Sequence, residues 1–341
     1  MSIPTTMTVP RFGGEGRIDW AEMPVPEPGP GELLLRVGAN ALCGTDRLQY
    51  RFGARVTPGH EAAGEVVASG PGTTTPVGAR GAVYLMEYCG ACRSCRRGHT
   101  NQCHNKARDF GFTVDGGYAP YELVAERCFF PVGDDLPMDE ATMLLDVMGT
   151  SAHAIGRARL VRDDVESVLV TGAGPIGLGL VAMAPLILGE GVRVFVTDMA
   201  PYRLRLCEEL GAVPVLIGRD EVGHVLRDHG LDAVDAAFDA AGKGDARRTA
   251  LDALGRRGVL VCVGHGQGFE VKVSPDLIAP ERGVLGSEYF RYDELAPNLE
   301  LLRANRERLR RIITHRFPLQ DIAEAFECFV AGETGKVVIE P

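Results

Sequence analysis

The sequence predicts an α/β protein in which a doubly wound parallel sheet is joined to a second lobe carrying clustered cysteines. Three observations predict it: a glycine-rich turn lies between an apolar strand and an apolar helix, strands and helices keep alternating after that turn, and four cysteines crowd into fifteen residues well before it. The length of 341 residues suits two domains better than one core.

Composition sets the outer bounds. With 45% hydrophobic and 24% charged residues, the chain is ordinary globular material with ample side chains to bury. Its 43 glycines have no fixed period, which points to many tight turns and not to low complexity. A formal charge of −10 argues against a nucleic-acid partner, since backbone phosphate is bound by neutralising it with Lys and Arg. No stretch approaches the length needed to span a bilayer. The opening MSIPTTMTVPRFGGEG lacks the basic lead and apolar run of a signal. A cytoplasmic protein with a small-molecule substrate and no membrane partner is expected.

The sheet signal begins near residue 165. Val168 to Thr171 form a short apolar strand, TGAGPIGLGL follows, and a helical stretch runs to about Leu188. The strand VRVFVT comes next and ends at Asp198, 21 positions beyond Gly177. A glycine triplet alone is weak evidence; strand, turn, helix, strand and acid in this order make a dinucleotide fingerprint. Gly172 permits the tight turn, Gly174 lets a pyrophosphate approach the backbone, and Gly177 lets helix and strand pack closely. Pro175 and Ile176 complete the turn, where the helix N-terminus offers free amides to phosphates. Asp198 would accept hydrogen bonds from the adenosine ribose and repel a 2′-phosphate, favouring NAD over NADP. Its plainer use is as an N-cap before Pro201. Pro185, inside the first crossover helix, is expected to kink that helix or end it early. The alternation continues through VDAAFDAAG, GVLVCVGHG and VLGSEYF.

Cys89, Cys92, Cys95 and Cys103 are separated by two, two and seven residues. Two-residue turns bring neighbouring thiolates onto one ion, and the longer loop lets the fourth close a tetrahedron, as a structural zinc site requires. Two disulfides, or an iron–sulfur cluster, are the rival readings. Four thiolates leave no open position, so this metal should stabilise a lobe and do no chemistry. A second, looser set is Cys43 in LCGTDRLQY, His60 in PGHEAAGEV and Asp146 in MLLDVMGTSAHA. One soft, one borderline and one hard donor suit a catalytic zinc with an open fourth position, although no local spacing joins them.

Taken together, these segments resemble the zinc-containing medium-chain dehydrogenase/reductase family, which includes alcohol, sorbitol and threonine dehydrogenases. The resemblance covers nearly the whole chain, in the expected order. It implies a GroES-like, β-rich catalytic domain at 1–150 and 288–341, with a structural zinc lobe at about 88–104, interrupted by a Rossmann NAD-binding domain at 151–287. It implies two zinc ions per chain and NAD. Cys43 and His60 would hold the catalytic zinc with Asp146, which stands where alcohol dehydrogenases have Cys and polyol or threonine dehydrogenases often have Glu. Glu61 matches a carboxylate near the metal, Asp46 one that orients the ligating histidine, and Thr45 the hydroxyl that takes the substrate proton. Thr150, Arg203 and Lys336 fall on the cofactor side, Lys336 toward the diphosphate. Leu48 replaces a histidine that often ends the proton relay, so the proton needs another exit.

Position alone suggests Leu48, Tyr50, Phe52, Phe110 and Glu288 as pocket walls. Cys128, Cys207, Cys262 and Cys328 read as small buried residues, and His99, His104, His153 and His265 as structural. The implied reaction is hydride transfer between a secondary alcohol, polyol, sugar or cyclitol-like, and NAD, in a dimer or tetramer. A threonine-type or simple alcohol dehydrogenase is the second enzyme reading. A zinc-stabilised NAD-binding sensor is the alternative from another class.

Overall fold

A computed structural model describes residues 2–341 and is organised around two separate sheets. The first has six strands, all parallel, in the spatial order Val213–Leu216, Arg193–Asp198, Ser167–Thr171, Val234–Asp239, Leu254–Cys262 and Gly283–Gly286. In sequence order this is 3-2-1-4-5-6. The order reverses between Ser167–Thr171 and Val234–Asp239, and ligands of such sheets bind beyond the strand ends at that switch. The strands are apolar and buried because helices cover both faces; Ser167–Thr171 is buried at all five positions.

The helix Pro175–Leu188 leaves the glycine turn as expected, but Pro185 does not stop it. Pro185 lies in the last turn, and its carbonyl accepts the Gly189 N–H at 3.1 Å, so the helix closes only three residues beyond it. The final strand of this sheet is shorter than VLGSEYF suggested and ends at Gly286.

The second sheet has seven strands and is mostly antiparallel. Its path runs Ile313–Pro318, Lys336–Glu340, Glu32–Ala41, Ala62–Ser69, Arg80–Val83 and Phe129–Pro131, with Tyr121–Ala125 also pairing with Glu32–Ala41. Residues from opposite ends of the sequence therefore share one sheet. A hairpin of Thr6–Gly14 and Arg17–Pro24 stands beside it. Between the two sheets runs one continuous helical stretch, a π-helical turn Asp146–Thr150 followed by the α-helix Ser151–Arg159. A buried apolar cluster takes side chains from both bodies, among them Leu33, Val83, Leu144, Ile155, Val170 and Phe238. No helix among the described residues is long and apolar enough to cross a membrane.

Candidate active site

Three segments deliver the site. Cys43 and Thr45 occupy the loop between the strand Glu32–Ala41 and the short helix Asp46–Phe52. His60 and Glu61 immediately precede the strand Ala62–Ser69. Asp146 opens the π-helical turn, an irregularity often found at functional sites. Gly59 sets His60 in place: its φ is +101°, and a Cβ there would lie 2.5 Å from Asn40 Nδ2 and 2.6 Å from the Tyr118 nitrogen. The donor atoms of Cys43, His60, Glu61 and Asp146 all lie within 4.8 Å of one another, and all four residues are buried.

Asp146 Oδ2 is the hub. Cys43 Sγ stands 3.1 Å from it and His60 Nε2 3.4 Å. A tetrahedron with bonds of about 2.0–2.3 Å has edges of about 3.3–3.8 Å, so these three donors accommodate a zinc ion with a slight opening of the Cys43–Asp146 pair. Asp46 backs them. Its Oδ2 accepts the Cys43 N–H at 2.9 Å and the Tyr118 hydroxyl at 2.7 Å, while Oδ1 stands 3.2 Å from His60 Nδ1. The imidazole is thus held with Nε2 toward Asp146, the carboxylate–histidine arrangement common behind metal ligands. Thr45 Oγ1 and Glu61 Oε2 are buried beside the trio without a protein partner. Neither Thr45 nor Asp46 caps the helix it begins with a side-chain bond.

Charge follows geometry. Burial opposes ionisation of Asp146, but the His60 hydrogen bond and the charges of His60 and Lys336 outweigh it and hold the carboxyl well below its usual range. Burial also works against a charged His60, yet Asp46 and Asp146 raise it well above its ordinary value. Burial and the Asp146 charge push the Cys43 thiol up to about 11. The pocket is built to surround one positive charge, which a divalent ion can supply.

One expectation needs correction. Lys336 does not face a cofactor cleft: its ammonium is fully buried and sits 2.5 Å from Glu61 Oε1. Unpaired, an ammonium enclosed there would be too costly to keep charged, so the pair explains its burial. Thr150 donates its hydroxyl to Asp146 Oδ1 at 2.8 Å. That bond occupies one carboxylate oxygen and leaves Oδ2 for Cys43 and His60. The positional guesses at pocket walls also fare poorly. Phe110 is fully buried, Leu48 and Phe52 point outward at 59% and 70% exposure, and Tyr50 stacks on Phe326 at 4.9 Å. Glu288 offers its backbone carbonyl to Asn101 at 2.9 Å. Phe112 is the aromatic beside the trio, its ring 4.9 Å from that of His60. Only folding brings Phe112 there; no spacing in the sequence announces it.

At the glycine turn, a Cβ on Gly177 would fall 1.8 Å from Gly172 O, whereas one on Gly174 would meet nothing within 4 Å. Close packing at the first and open space at the second are what a diphosphate-binding turn needs. Leu178 N–H makes the first intrahelical bond, to Gly174 O, so the amides of Ile176 and Gly177 precede the ladder. Asp198 accepts from Ala173 N–H at 2.6 Å and Ala200 N–H at 2.8 Å, which braces the turn and leaves each oxygen a lone pair for a ribose. Arg203 is buried, its Nε donating to Thr334 O at 3.0 Å.

The cysteine lobe closes on itself. The four sulfurs lie within 4.8 Å of one another, Cys89 and Cys95 being 4.0 Å apart, and no cysteine is disulfide-bonded. Backbone amides point at them: Cys92 N–H reaches Cys89 Sγ at 3.3 Å and Cys89 N–H reaches Cys103 Sγ at 3.2 Å. Amides favour thiolates: those of Cys95, 3.4 Å from Cys92 Sγ, and of His104 pull Cys92 down to about 6, while burial pushes Cys95 up to about 12. Of the remaining cysteines, Cys128 and Cys207 are buried, and Cys262 and Cys328 are partly so.

Comparison with known proteins decides the family. Residues 29–134 match the alcohol dehydrogenase GroES-like domain, and residues 175–304 match the zinc-binding dehydrogenase family. The chain is 32% identical to an L-threonine 3-dehydrogenase of Sinorhizobium medicae, over 94% of this chain and 95% of the relative. The chain belongs to the zinc-containing medium-chain dehydrogenase/reductase family. Solved members superpose closely. A thermostable alcohol dehydrogenase of Pyrobaculum aerophilum with cobalt and zinc bound gives a TM-score of 0.84 at 28% identity, covering 98% of this chain and 100% of that one. A Sinorhizobium meliloti protein described as a zinc-binding dehydrogenase and bound to NADP gives 0.86 at 28% identity, covering 99% and 100%. As a medium-chain dehydrogenase, this chain is an oxidoreductase acting on alcohols with zinc and NAD(H).

Proposed function

We propose that the protein interconverts a secondary alcohol of the polyol, sugar or cyclitol class and its ketone, with NAD as hydride acceptor. The observation that carries this reading is the buried trio Cys43, His60 and Asp146, closed by a carboxylate and flanked by the unpartnered Thr45 hydroxyl. The trio would hold a zinc ion, which supplies Lewis acidity toward the alcohol oxygen. Thr45 relays the proton that the alcohol releases, taking it up as it passes its own hydroxyl proton to water or the cofactor ribose hydroxyl. Asp46 fixes the orientation of His60, and Thr150 fixes that of Asp146. The amides of Ile176 and Gly177, with Asp198, hold the dinucleotide by its diphosphate and ribose. Cys89, Cys92, Cys95 and Cys103 hold the second ion, and it takes no part in the chemistry.

We place the cofactor domain at 151–287 and the catalytic domain at 1–150 and 288–341. The six strands of the all-parallel sheet fall within 167–286 in support. A homo-oligomer is part of the proposal: Gly283–Gly286 is an edge strand of the parallel sheet, with Val273 and Ile278 exposed in the connection before it. A cytoplasmic setting agrees with nine cysteines free of disulfides.

Oxidation of an amino alcohol such as L-threonine is the second reading, favoured by the threonine dehydrogenase relatives. A panel of polyols, sugars, cyclitols and amino alcohols, scored for NADH and NADPH formation with metal-verified protein, separates the two. Turnover of L-threonine alone would replace the first reading by the second, and silence across the panel would sink both.

A further inference from the structure

We infer that Asp239 and Arg247 are positioning residues for the nicotinamide half of the dinucleotide, their buried ion pair fixing the two loops across which that half must lie. The inference holds whichever alcohol is oxidised, and rests on the proposed reading only for the seat of the diphosphate at the glycine turn. In a doubly wound sheet each half takes one mononucleotide, and the two meet where the strand order reverses. The glycine turn and Asp198 follow Ser167–Thr171 and end Arg193–Asp198, both in the first half. The second mononucleotide then crosses the ends of Val234–Asp239 and Leu254–Cys262, and Asp239 is the last residue of the strand at the reversal. The turn opened by Asp146 reaches the sheet at this same end. Ser151 Oγ donates to Ile176 O at 3.3 Å, and a Cβ on Gly179 would fall 2.1 Å from Val147 O.

Asp239 is fully buried, and its Oδ2 stands 2.7 Å from Arg247 Nε. Its Oδ1 accepts the N–H groups of Ala241 and Gly242, both at 3.0 Å, and the Thr171 hydroxyl at 3.4 Å. The terminal nitrogens of Arg247 donate to Gly264 O and Gln267 O, in the loop after the next strand. One carboxylate and one guanidinium therefore join the ends of neighbouring strands and the loops that leave them. Those loops touch backbone to backbone. A Cβ on Gly242 would lie 2.1 Å from His265 O, one on Gly264 2.5 Å from Gly242 N, and one on Gly266 2.3 Å from Gly242 O. Gln267 closes the ring, its N–H donating to Gly242 O at 2.9 Å and its Oε1 accepting Gly244 N–H at 3.1 Å. The glycine turn rests on the first loop, since a Cβ on Gly172 would come 3.0 Å from Ala241 N. A buried ion pair adds little net stability over an apolar pair of the same volume. What this one adds is direction. Each bond fixes a backbone amide or carbonyl, so the loops are set before the cofactor arrives and need not be ordered at the expense of its affinity.

The test titrates the zinc-loaded protein with NADH and with ADP-ribose, which carries the adenosine, the diphosphate and a second ribose but no nicotinamide. Arg247→Lys keeps a cation beside Asp239 and removes the planar group that reaches both carbonyls. Its Kd for NADH should rise about tenfold, the worth of one charge-assisted hydrogen bond, while that for ADP-ribose stays within about twofold of wild type. Hydrogen exchange in the unliganded protein should quicken in a peptide spanning 262–270 and keep its rate in one spanning 168–178. Should Arg247→Lys fail to fold, Asp239→Asn combined with Arg247→Gln removes both charges together and strands neither; it should show the same selective loss. Equal weakening of NADH and ADP-ribose, or an unchanged Kd for NADH, overturns the inference. Equal acceleration of both peptides overturns it too, because the pair would then brace the whole fold. Wild type that binds neither ligand would sink the cofactor seat itself, and the inference with it.

Discussion

Cys43, His60 and Asp146 present one sulfur, one nitrogen and one oxygen near the spacing of a zinc tetrahedron, and Cys43 supplies the one sulfur of the donor group. Cys43→Ser should therefore cut the zinc content from two ions to one and lower kcat by at least about a thousandfold, while NADH still binds. Metal analysis beside a fluorescence titration checks it; full turnover at one zinc per chain would refute the assignment. Asp198 serves two ends, since it also accepts the Ala173 and Ala200 amides. Asp198→Ala should weaken NADH binding outright and narrow the NAD-to-NADP preference by about tenfold, or about 1.4 kcal/mol. An unchanged ratio of the two dissociation constants would leave the carboxylate a purely local brace. At this scale the sequence was legible wherever a residue's chemistry is scarce. No local spacing joins Cys43, His60 and Asp146, so resemblance to the family carried their assignment. Lys336 was misplaced because its partner depends on which way a side chain turns in the folded site. Phe112 went unnoticed because an aromatic gives no sign, in sequence, of which wall it joins.

The cysteine lobe illustrates what an element can reveal unaided. Its spacing alone contains the geometry of chelation, and the folded turns bring the four sulfurs together as that spacing requires. Cys92→Ser should release one zinc and lower Tm by at least about 5 °C, since about 2 kcal/mol moves a domain of this size by roughly that much. Calorimetry with metal analysis tests this, and an unaltered Tm after loss of the ion would show that the lobe folds without it. The glycine turn was equally legible, because the clash that fixes Gly177 involves a residue only five positions away. The π-helical turn at Asp146 had no such signature. Apolar periodicity reports the period of a regular helix and does not announce a single π-helical turn.

At the scale of the whole molecule, the alternation of strands and helices specified the parallel sheet, but nothing local declared that Lys336–Glu340 pairs with Glu32–Ala41. That sheet also holds a liability. Glu122, on the strand Tyr121–Ala125, is buried with both carboxylate oxygens unpartnered, and burial reinforced by Asp115 raises it from 4.5 to about 8. The folded chain then keeps a proton that the unfolded chain releases near 4.5, so this residue's contribution to stability falls as pH rises from about 4.5 to about 8. Glu122→Gln should raise stability by about 1–3 kcal/mol at pH 8.5 and by little at pH 5. Denaturant titrations at the two pH values decide; an equal gain at both would mean that the carboxyl is not the titrating group.

The pair of Lys336 and Glu61 joins residues 275 positions apart. During synthesis, the segment bearing Cys43, His60 and Glu61 leaves the ribosome long before the lysine that neutralises it has been made. Until that strand arrives, Glu61 has no cation to accompany it into the interior, so the early lobe must stay open or shelter its acid elsewhere. The strand Lys336–Glu340, made 275 residues after Glu61, thus times the closure of a site whose other residues are translated well before it.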